Sequence, residues 1–420
     1  MARKKRENRF LAAVKAMGPM RILLSLVVAV IGGWLAIELA ISGIGRYKNP
    51  EAALALMPGD SIALAARADQ LLAANQTRPN PQVQRLATRA LKEQAMNAKA
   101  IRILGYVAEA KGDRPLALAF MQLAERLSRR EPGTQLWLIE YHAQANNTTK
   151  TLKHYDILLK TKPDTQTLLF PRLSNAIADA PIRTALLPYV RKDVPWTSSF
   201  LWHAINTDKN LSNIVDLIIE NGGFPKNKPG DNSSREQEKR LIGRLVSENR
   251  FADARRIFAL VPGANPALLT NAGFEKHDRD GRFGAMGWQI MDDPNAGSGF
   301  GDGKGLGKGQ GKPTLSIFAN SATTRVVASK LLYLAPGSYR VDVKFAQFER
   351  GDDGYVKLQM RCPAMGGGAP LWTFNVDPKR GQGQFEVPAS CPAQFLDIIG
   401  SGGEGRLGLE AVIGSVVIAP

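Results

Sequence analysis

YRVDVKF, from Tyr339 to Phe345, alternates apolar and polar side chains along its whole length, and VKLQMRC, from Val356 to Cys362, repeats the pattern. A period of two places alternate side chains on opposite faces of an extended chain, so both stretches read as half-buried antiparallel strands. Ala335-Pro336-Gly337-Ser338 and Arg350-Gly351-Asp352-Asp353-Gly354 supply the turns before and between them. Working outward, strands are expected at Leu315 to Ala319, Arg325 to Leu334, Leu371 to Val376, Gln394 to Ile399 and Ala411 to Ile418. Many short strands between Gly/Pro turns make an antiparallel sandwich of the chain after Pro266.

The chain has two cysteines, Cys362 and Cys391. Cys362 falls on the inward face of its strand, and an even pair in an oxidising compartment reads as one disulfide, the alternative being two buried thiols. On the chain-entropy model such a loop stabilises by roughly 3 to 4 kcal/mol.

From Pro50 to about Pro262 the sequence is rich in Ala and Leu, and prolines or Gly/Asn pairs interrupt it at short intervals, the punctuation of helical hairpins. The clearest helix follows Asp113 as N-cap, with Pro115 in its first turn and Leu116, Phe120, Leu123 and Leu127 along one apolar face. A shift of 34 residues superposes Leu104 on Leu138, Gly112-Asp113 on Asn146-Asn147, Met121 on Tyr155 and Leu123 on Ile157. Gly112 and Asn146 suit the left-handed turn that ends a helix. Glu236 to Glu248 and Phe251 to Leu260 form the last helical pair.

Before this, ILLSLVVAVIGGWLAIELAISGI (Ile22 to Ile44) is apolar except for Glu38 and reaches about 35 Å as a helix, enough to cross a bilayer. Seven cations (Arg3, Lys4, Lys5, Arg6, Arg9, Lys15, Arg21) precede it against Glu7, which keeps the tail cytoplasmic by the positive-inside rule. A cleaved signal with Ala40 and Ser42 before the cut is the alternative, and the long apolar core argues against it. Of the net charge of +17, the tail accounts for +6 and leaves +11 beyond the membrane, which favours acidic partners there rather than nucleic acid. The expected organisation is a basic tail (1–21), a transmembrane helix (22–44), a helical domain (45–262) and a β-sandwich (263–420).

Two resemblances sharpen this outline. Leu104-Gly105, Gly112, Ala117 and Ala124 stand at the spacing of tetratricopeptide (TPR) repeats, although Thr151 and Ile139 depart from it in the second copy. The likeness implies an α-solenoid whose concave groove takes protein partners. Leu269-Thr270-Asn271-Ala272-Gly273-Phe274-Glu275, then Gly287-Trp288 and the later LAPGSYRV, resemble carbohydrate-binding modules with the galactose-binding-like jelly roll. In that family the glutamate matching Glu275 often helps hold a structural calcium with an aspartate near the last strand. Val412 to Val416 offers no aspartate, so no metal is expected. The order of basic tail, anchor, TPR-like helices and jelly roll looks like envelope polysaccharide-associated proteins of Gram-negative bacteria, which implies a single-pass inner-membrane protein with periplasmic domains.

No catalytic constellation emerges. His142, His154, His203 and His277 lack zinc-site spacing. Gly59-Asp60-Ser61-Ile62 matches an esterase tetrapeptide, but no D-x-x-H follows, and a helix N-cap explains it. Gly297 to Lys312 fits no phosphate loop and reads as a cationic surface loop. A polysaccharide-modifying enzyme would need paired carboxylates in one cleft; the close pairs, Glu275 with Asp278 and Asp352 with Asp353, are sequence neighbours. For glycan contact the useful groups are aromatics that stack on sugar faces, and polar side chains for the hydroxyls. Trp288 belongs to the core by its place in the signature. Trp372, Phe374 and Tyr355 are the candidate platforms, and Lys304, Lys308, Arg340, Lys344, Lys357 and Arg361 the candidate cations, the last four sharing the outward parity of neighbouring strands. The expectation is a non-catalytic scaffold without cofactor that contacts an acidic polysaccharide; a protein-only adaptor is the alternative.

Overall fold

The computed structural model describes residues 19–40, 45–75, 78–207, 211–226, 232–279, 281–302, 312–363 and 370–420. The chain divides into two compact units, 1–165 and 166–420. Helix α1 (Pro19–Ala40) opens the first; its length and apolar composition suffice to cross a membrane, a criterion that signal sequences also meet. Its large side chains, Leu23, Leu24, Val28 and Trp34 among them, are exposed. Residues 41–44 of the expected span lie outside the described residues.

After the short α2 (Pro50–Leu56), three helical hairpins follow in the first unit: α3 (Ser61–Ala74) with α4 (Pro81–Glu93), α5 (Ala98–Ala110) with α6 (Arg114–Leu127), and α7 (Pro132–Gln144) with α8 (Thr148–Thr161). Side chains close the helix N-termini: Asp60, Asn80, Asn97, Asp113, Glu131 and Asn147 each accept a backbone N–H one turn on. Caps of this kind are worth about 1 kcal/mol each. Gly112 (φ 80°) and Asn146 (φ 52°) hold the left-handed turns at the two hairpin corners. Ser61 of the esterase-like tetrapeptide is buried, its Oγ donating to the Ala90 carbonyl at 2.8 Å and accepting from Asn97 Nδ2 at 2.9 Å.

On α6 the buried face is Ala117, Met121 and Ala124, whereas Leu116 and Leu123 are exposed. The expected apolar face is thus displaced by one position. A Cβ added to Gly105 on α5 would stand 2.8 Å from Met121 Cε, so the two helices approach too closely for leucine between them. Polar side chains tie neighbouring hairpins together. Arg102 Nη2 donates to Asp69 at 2.5 Å, and its Nε lies 3.1 Å from Glu131. Burial pushes the Asp69 carboxyl up, but Arg102 and Lys99 outweigh it and hold it below the ordinary range. Within the third hairpin, His154, buried on α8, shares a 2.7 Å hydrogen bond with Gln135 of α7 and stacks on His142 of α7 at 5.5 Å.

The second unit starts with α9 (Gln166–Ala176), α10 (Ala180–Arg191), α11 (Thr197–Thr207), α12 (Ser212–Asn221), α13 (Ser233–Ser247) and α14 (Phe251–Phe258). Alternate helices touch, α9 with α11 and α11 with α13, α10 with α12 and α12 with α14, giving two helical layers. The strands of the same unit are β1 (Gln289–Ile290), β2 (Ala296–Gly301), β3 (Thr314–Ala319), β4 (Thr324–Leu332), β5 (Gly337–Arg350), β6 (Tyr355–Arg361), β7 (Trp372–Asn375), β8 (Gln382–Val387), β9 (Gln394–Ser401) and β10 (Leu409–Ala419). They build two antiparallel sheets ordered β1-β4-β9-β6-β7 and β2-β3-β10-β5-β8. Inward residues from both, such as Leu315, Val343, Leu358, Leu396 and Ile413, form one core. β2 takes the first part of the expected Gly297 to Lys312 loop, and residues 303–311 lie outside the described residues.

The expected switch from helix to strand near residue 262 falls inside this unit, because the last helices pack on the sandwich. Tyr333 Oη donates to the Phe251 carbonyl at 3.0 Å, the Phe258 and Phe283 rings meet edge to face at 5.3 Å, and Arg282 donates to the Pro262 carbonyl at 2.7 Å. Cys362 and Cys391 form a disulfide, with Cα atoms 5.7 Å apart.

Candidate functional site

The Leu269 to Glu275 signature, with Gly287-Trp288, proves to be a folding element. Asn271 Oδ1 accepts the Gly273 N–H at 2.7 Å, Phe274 and Trp288 are in the core, and Asp278 accepts the N–H groups of Glu275 and Trp288, each at 2.9 Å. Lys330, 1% exposed, points into the same region with its ammonium 5.9 Å from the Trp288 ring. Burial lowers its pKa, and the Asp278 and Glu275 carboxylates offset part of that. Glu275 therefore faces a lysine, and among the described residues no group of three His, Cys, Asp or Glu side chains is placed to hold a metal.

Strand register decides where the candidate sugar-contact residues lie. On β7, Trp372 pairs with Met360 and Phe374 with Leu358, both core residues, so the two rings point between the sheets. They stack at 5.6 Å, Trp372 also meets Phe385 at 5.2 Å, and a Cβ added to Gly383 on β8 would come within 2.8 Å of the indole. The shared face read from the sequence is real, but it is the inner one: these rings seal the sandwich edge where β7 and β8 face each other.

The four cations do not form one patch. β5 and β6 are consecutive in sequence yet belong to different sheets, so Arg340 and Lys344 stand on one outer face of the sandwich and Lys357 and Arg361 on the opposite one. Asp342 sits between Arg340 and Lys344 on their face, where it accepts from Gln382 at 3.0 Å. Lys304 and Lys308 lie outside the described residues.

Tyr355, Lys357, Gln359 and Arg361 share the outer face of β6. The register sets Asn375 beside Lys357 and Thr373 beside Gln359, both exposed, on the edge strand β7. Lys357 Nζ stands 5.1 Å from the Tyr355 ring, and Arg361 Cζ 5.1 Å from the Phe395 ring. Arg361 grips the fully buried Asp397 through both Nε and Nη2, and Ser329 Oγ donates to the same carboxylate at 2.6 Å. The hydrogen bond to Asp397 raises the Arg361 pKa against the effect of burial. That pair is neutral as a unit, and Lys357 makes no ion pair with any described residue. The face thus offers two aromatic rings, each with a cation over it, and amide and hydroxyl groups between, with one net positive charge.

A second concavity, about 720 Å³, lies among α9, α11 and α13 around Trp202, a residue the sequence reading passed over. Its signal was an aromatic amid hydroxyls and amides, SSFLWHAINT from Ser198 to Thr207.

No protein-family model matches the chain, and no curated protein matches it. Solved structures similar to part of it include the following two. One is the carbohydrate-binding module TmCBM61 in complex with β-1,4-galactotriose, at 14% identity and a TM-score of 0.25, covering 35% of this chain and 97% of the module. The other is the enzymatically active domain of bacteriophage CBA120 tailspike protein 4, at 12% identity and a TM-score of 0.23. That match covers 37% of this chain and only 22% of the tailspike domain.

Proposed function

We propose that this protein is a non-catalytic, single-pass inner-membrane scaffold whose exported sandwich contacts envelope polysaccharide during its synthesis or export. The observation that carries the reading is the outer face of β6: Lys357 over Tyr355 and Arg361 over Phe395, the two rings roughly 20 Å apart along the strand, with Gln359, Thr373 and Asn375 alongside. Aromatic faces suit the C–H faces of sugar rings, and the amides and hydroxyls suit their hydroxyl groups. Acid selectivity rests on Lys357 and the overall positive charge rather than on a basic patch. The hairpins of the first unit, TPR-like in spacing, are the surface for protein partners, and α1 is the anchor behind the basic tail.

The full-length protein, purified in a detergent without a sugar headgroup, should bind the cell's own envelope polysaccharide. Tyr355→Ala should weaken that binding at all ionic strengths, and Lys357→Gln should flatten its salt dependence, since exposed charges are screened beyond about 8 Å at physiological salt. A periplasm-active reporter fused after Pro420 should be active. No binding at low salt leaves the protein-only adaptor in place of the glycan role, and an inactive reporter removes the anchor reading.

A further inference from the structure

We propose that the groove of α9, α11 and α13 is a second carbohydrate site, one that takes an uncharged oligosaccharide segment with Trp202 as its stacking platform. The inference stands on the helical layer alone and is independent of the sandwich face.

Three helices turn the same side toward the cavity. From α11 come Ser198, Ser199, Trp202, His203 and Asn206, the i, i+4 neighbours of one helix face. Phe170 of α9 and Gln237 of α13, both buried, form its floor. Trp202 is 48% exposed although its chain neighbours Leu201 and Phe200 are fully buried. An indole held that open on a rigid helix, above a cavity within the roughly 300 to 1,000 Å³ range of small-molecule sites, has the geometry of a stacking surface.

The lining chemistry selects the occupant. Around the indole the groups are hydroxyls and amides, and Gln237 is fixed by donating to the Ser198 carbonyl at 2.9 Å and to its Oγ at 3.1 Å. The charged residue of the described lining is Glu236, which Lys239 meets at 3.3 Å, and at the rim Arg240 donates to Asn206 at 2.8 Å. Side-chain hydroxyls both donate and accept, as sugar hydroxyls do, and the described lining holds no cation, the Arg240 guanidinium standing outside it at the rim, so a carboxylate stacked on the indole would have no counter-charge among the lining residues. In a protein this basic, a neutral aromatic groove matches a neutral ring.

The test uses the full-length protein in lauryldimethylamine oxide, which carries no sugar, with cellotetraose, β-1,4-galactotriose and chitotetraose as probes in saturation-transfer NMR and calorimetry. At least one probe should bind, Trp202→Ala should weaken it tenfold or more, Trp202→Phe should restore most of the affinity, and Ser199→Arg, which puts a charge into the open groove, should abolish it. Raising salt from about 0.05 to 0.5 M should leave the affinity unchanged, because no ion pair is made. Binding of no neutral probe, binding indifferent to Trp202, or selection from a peptide library of Trp202-dependent peptides in place of sugars would each overturn the proposal. Loss of binding in Tyr355→Ala with Trp202→Ala unaffected assigns the sugar to the sandwich and also overturns it.

Discussion

The sandwich and the hairpins at 61–161 solve the same burial problem with opposite materials. The sandwich fills its interior with large aliphatic and aromatic side chains and closes it with a disulfide. The helices meet through Ala87, Ala90, Ala117, Ala124 and Gly105; Arg102 joins neighbouring hairpins through Asp69 and Glu131, and His154 ties the two helices of its own hairpin through Gln135. Close approach of helices leaves little apolar area per contact, so polar ties supply specificity there; in the sandwich the buried polar groups, Asp397 with Arg361 and Ser329 among them, lie beside a large apolar core that carries most of the burial. The first region should therefore answer to reductant and to loss of aromatic bulk, the second to acid.

The largest expected effect is on the sandwich. Replacing Cys362 and Cys391 together by serine should remove roughly 3 to 4 kcal/mol of its stability and leave hairpin unfolding unchanged, as two transitions in a thermal melt would report. Equal loss in both transitions breaks the contrast. Trp372→Ala comes next, at about 2 to 3 kcal/mol in urea, below the full cost of a buried indole because the ring is half-buried at the edge. If Trp372→Ala leaves stability intact and instead removes glycan binding, the ring belongs to a ligand surface.

Acid should separate the regions in the other direction. Burial lowers the His154 pKa to about 4, with Glu125 opposing and Lys153, His142 and Lys150 adding to the shift. The folded state holds the ring neutral, so its contribution is complete above the ordinary pKa of about 6.5 and is lost as pH falls toward about 4, where the unfolded chain binds the proton first. Between about pH 7 and 5 the hairpins should lose about 1 to 2 kcal/mol, and His154→Gln should flatten that slope. The smallest effect is Trp202→Ala, expected to cost about 1 kcal/mol or less because about half of the side chain stands in solvent. A larger loss would make Trp202 part of the helical packing.

Local chemistry was legible and long-range placement was not. The alternation at Tyr339 to Phe345 and Val356 to Cys362, the caps at Asp60 and Asp113, the left-handed corners at Gly112 and Asn146 and the core place of Trp288 could be read because each depends on a few adjacent residues. Period two tells that Trp372 and Phe374 share a face, but which face is inside depends on their partners Met360 and Leu358, supplied by another strand. Likewise the parity of Arg340 and Lys357 says nothing about β5 and β6 lying in different sheets. On α6, the hydrophobic scale favoured Leu116 and Leu123, while the steric demand of Gly105 opposite chose Ala117 and Met121. Trp202 escaped because an exposed aromatic in a helix has no period to announce it.

The position of β10 carries a consequence for how the sandwich comes to exist. Leu409–Ala419, which follows all the other strands in sequence, lies in the middle of its sheet between β3 and β5, and β9, which follows β4 and β6, lies between them. Before them each sheet can form only separate pairs, β2 with β3 and β5 with β8 in one, β1 with β4 and β6 with β7 in the other, and joining those pairs into a sheet is a closure that high contact order makes slow. Until then β3 and β5 present unpaired edges that other chains can join. A substitution that weakens β10 therefore acts on the strand that joins the two parts of its sheet.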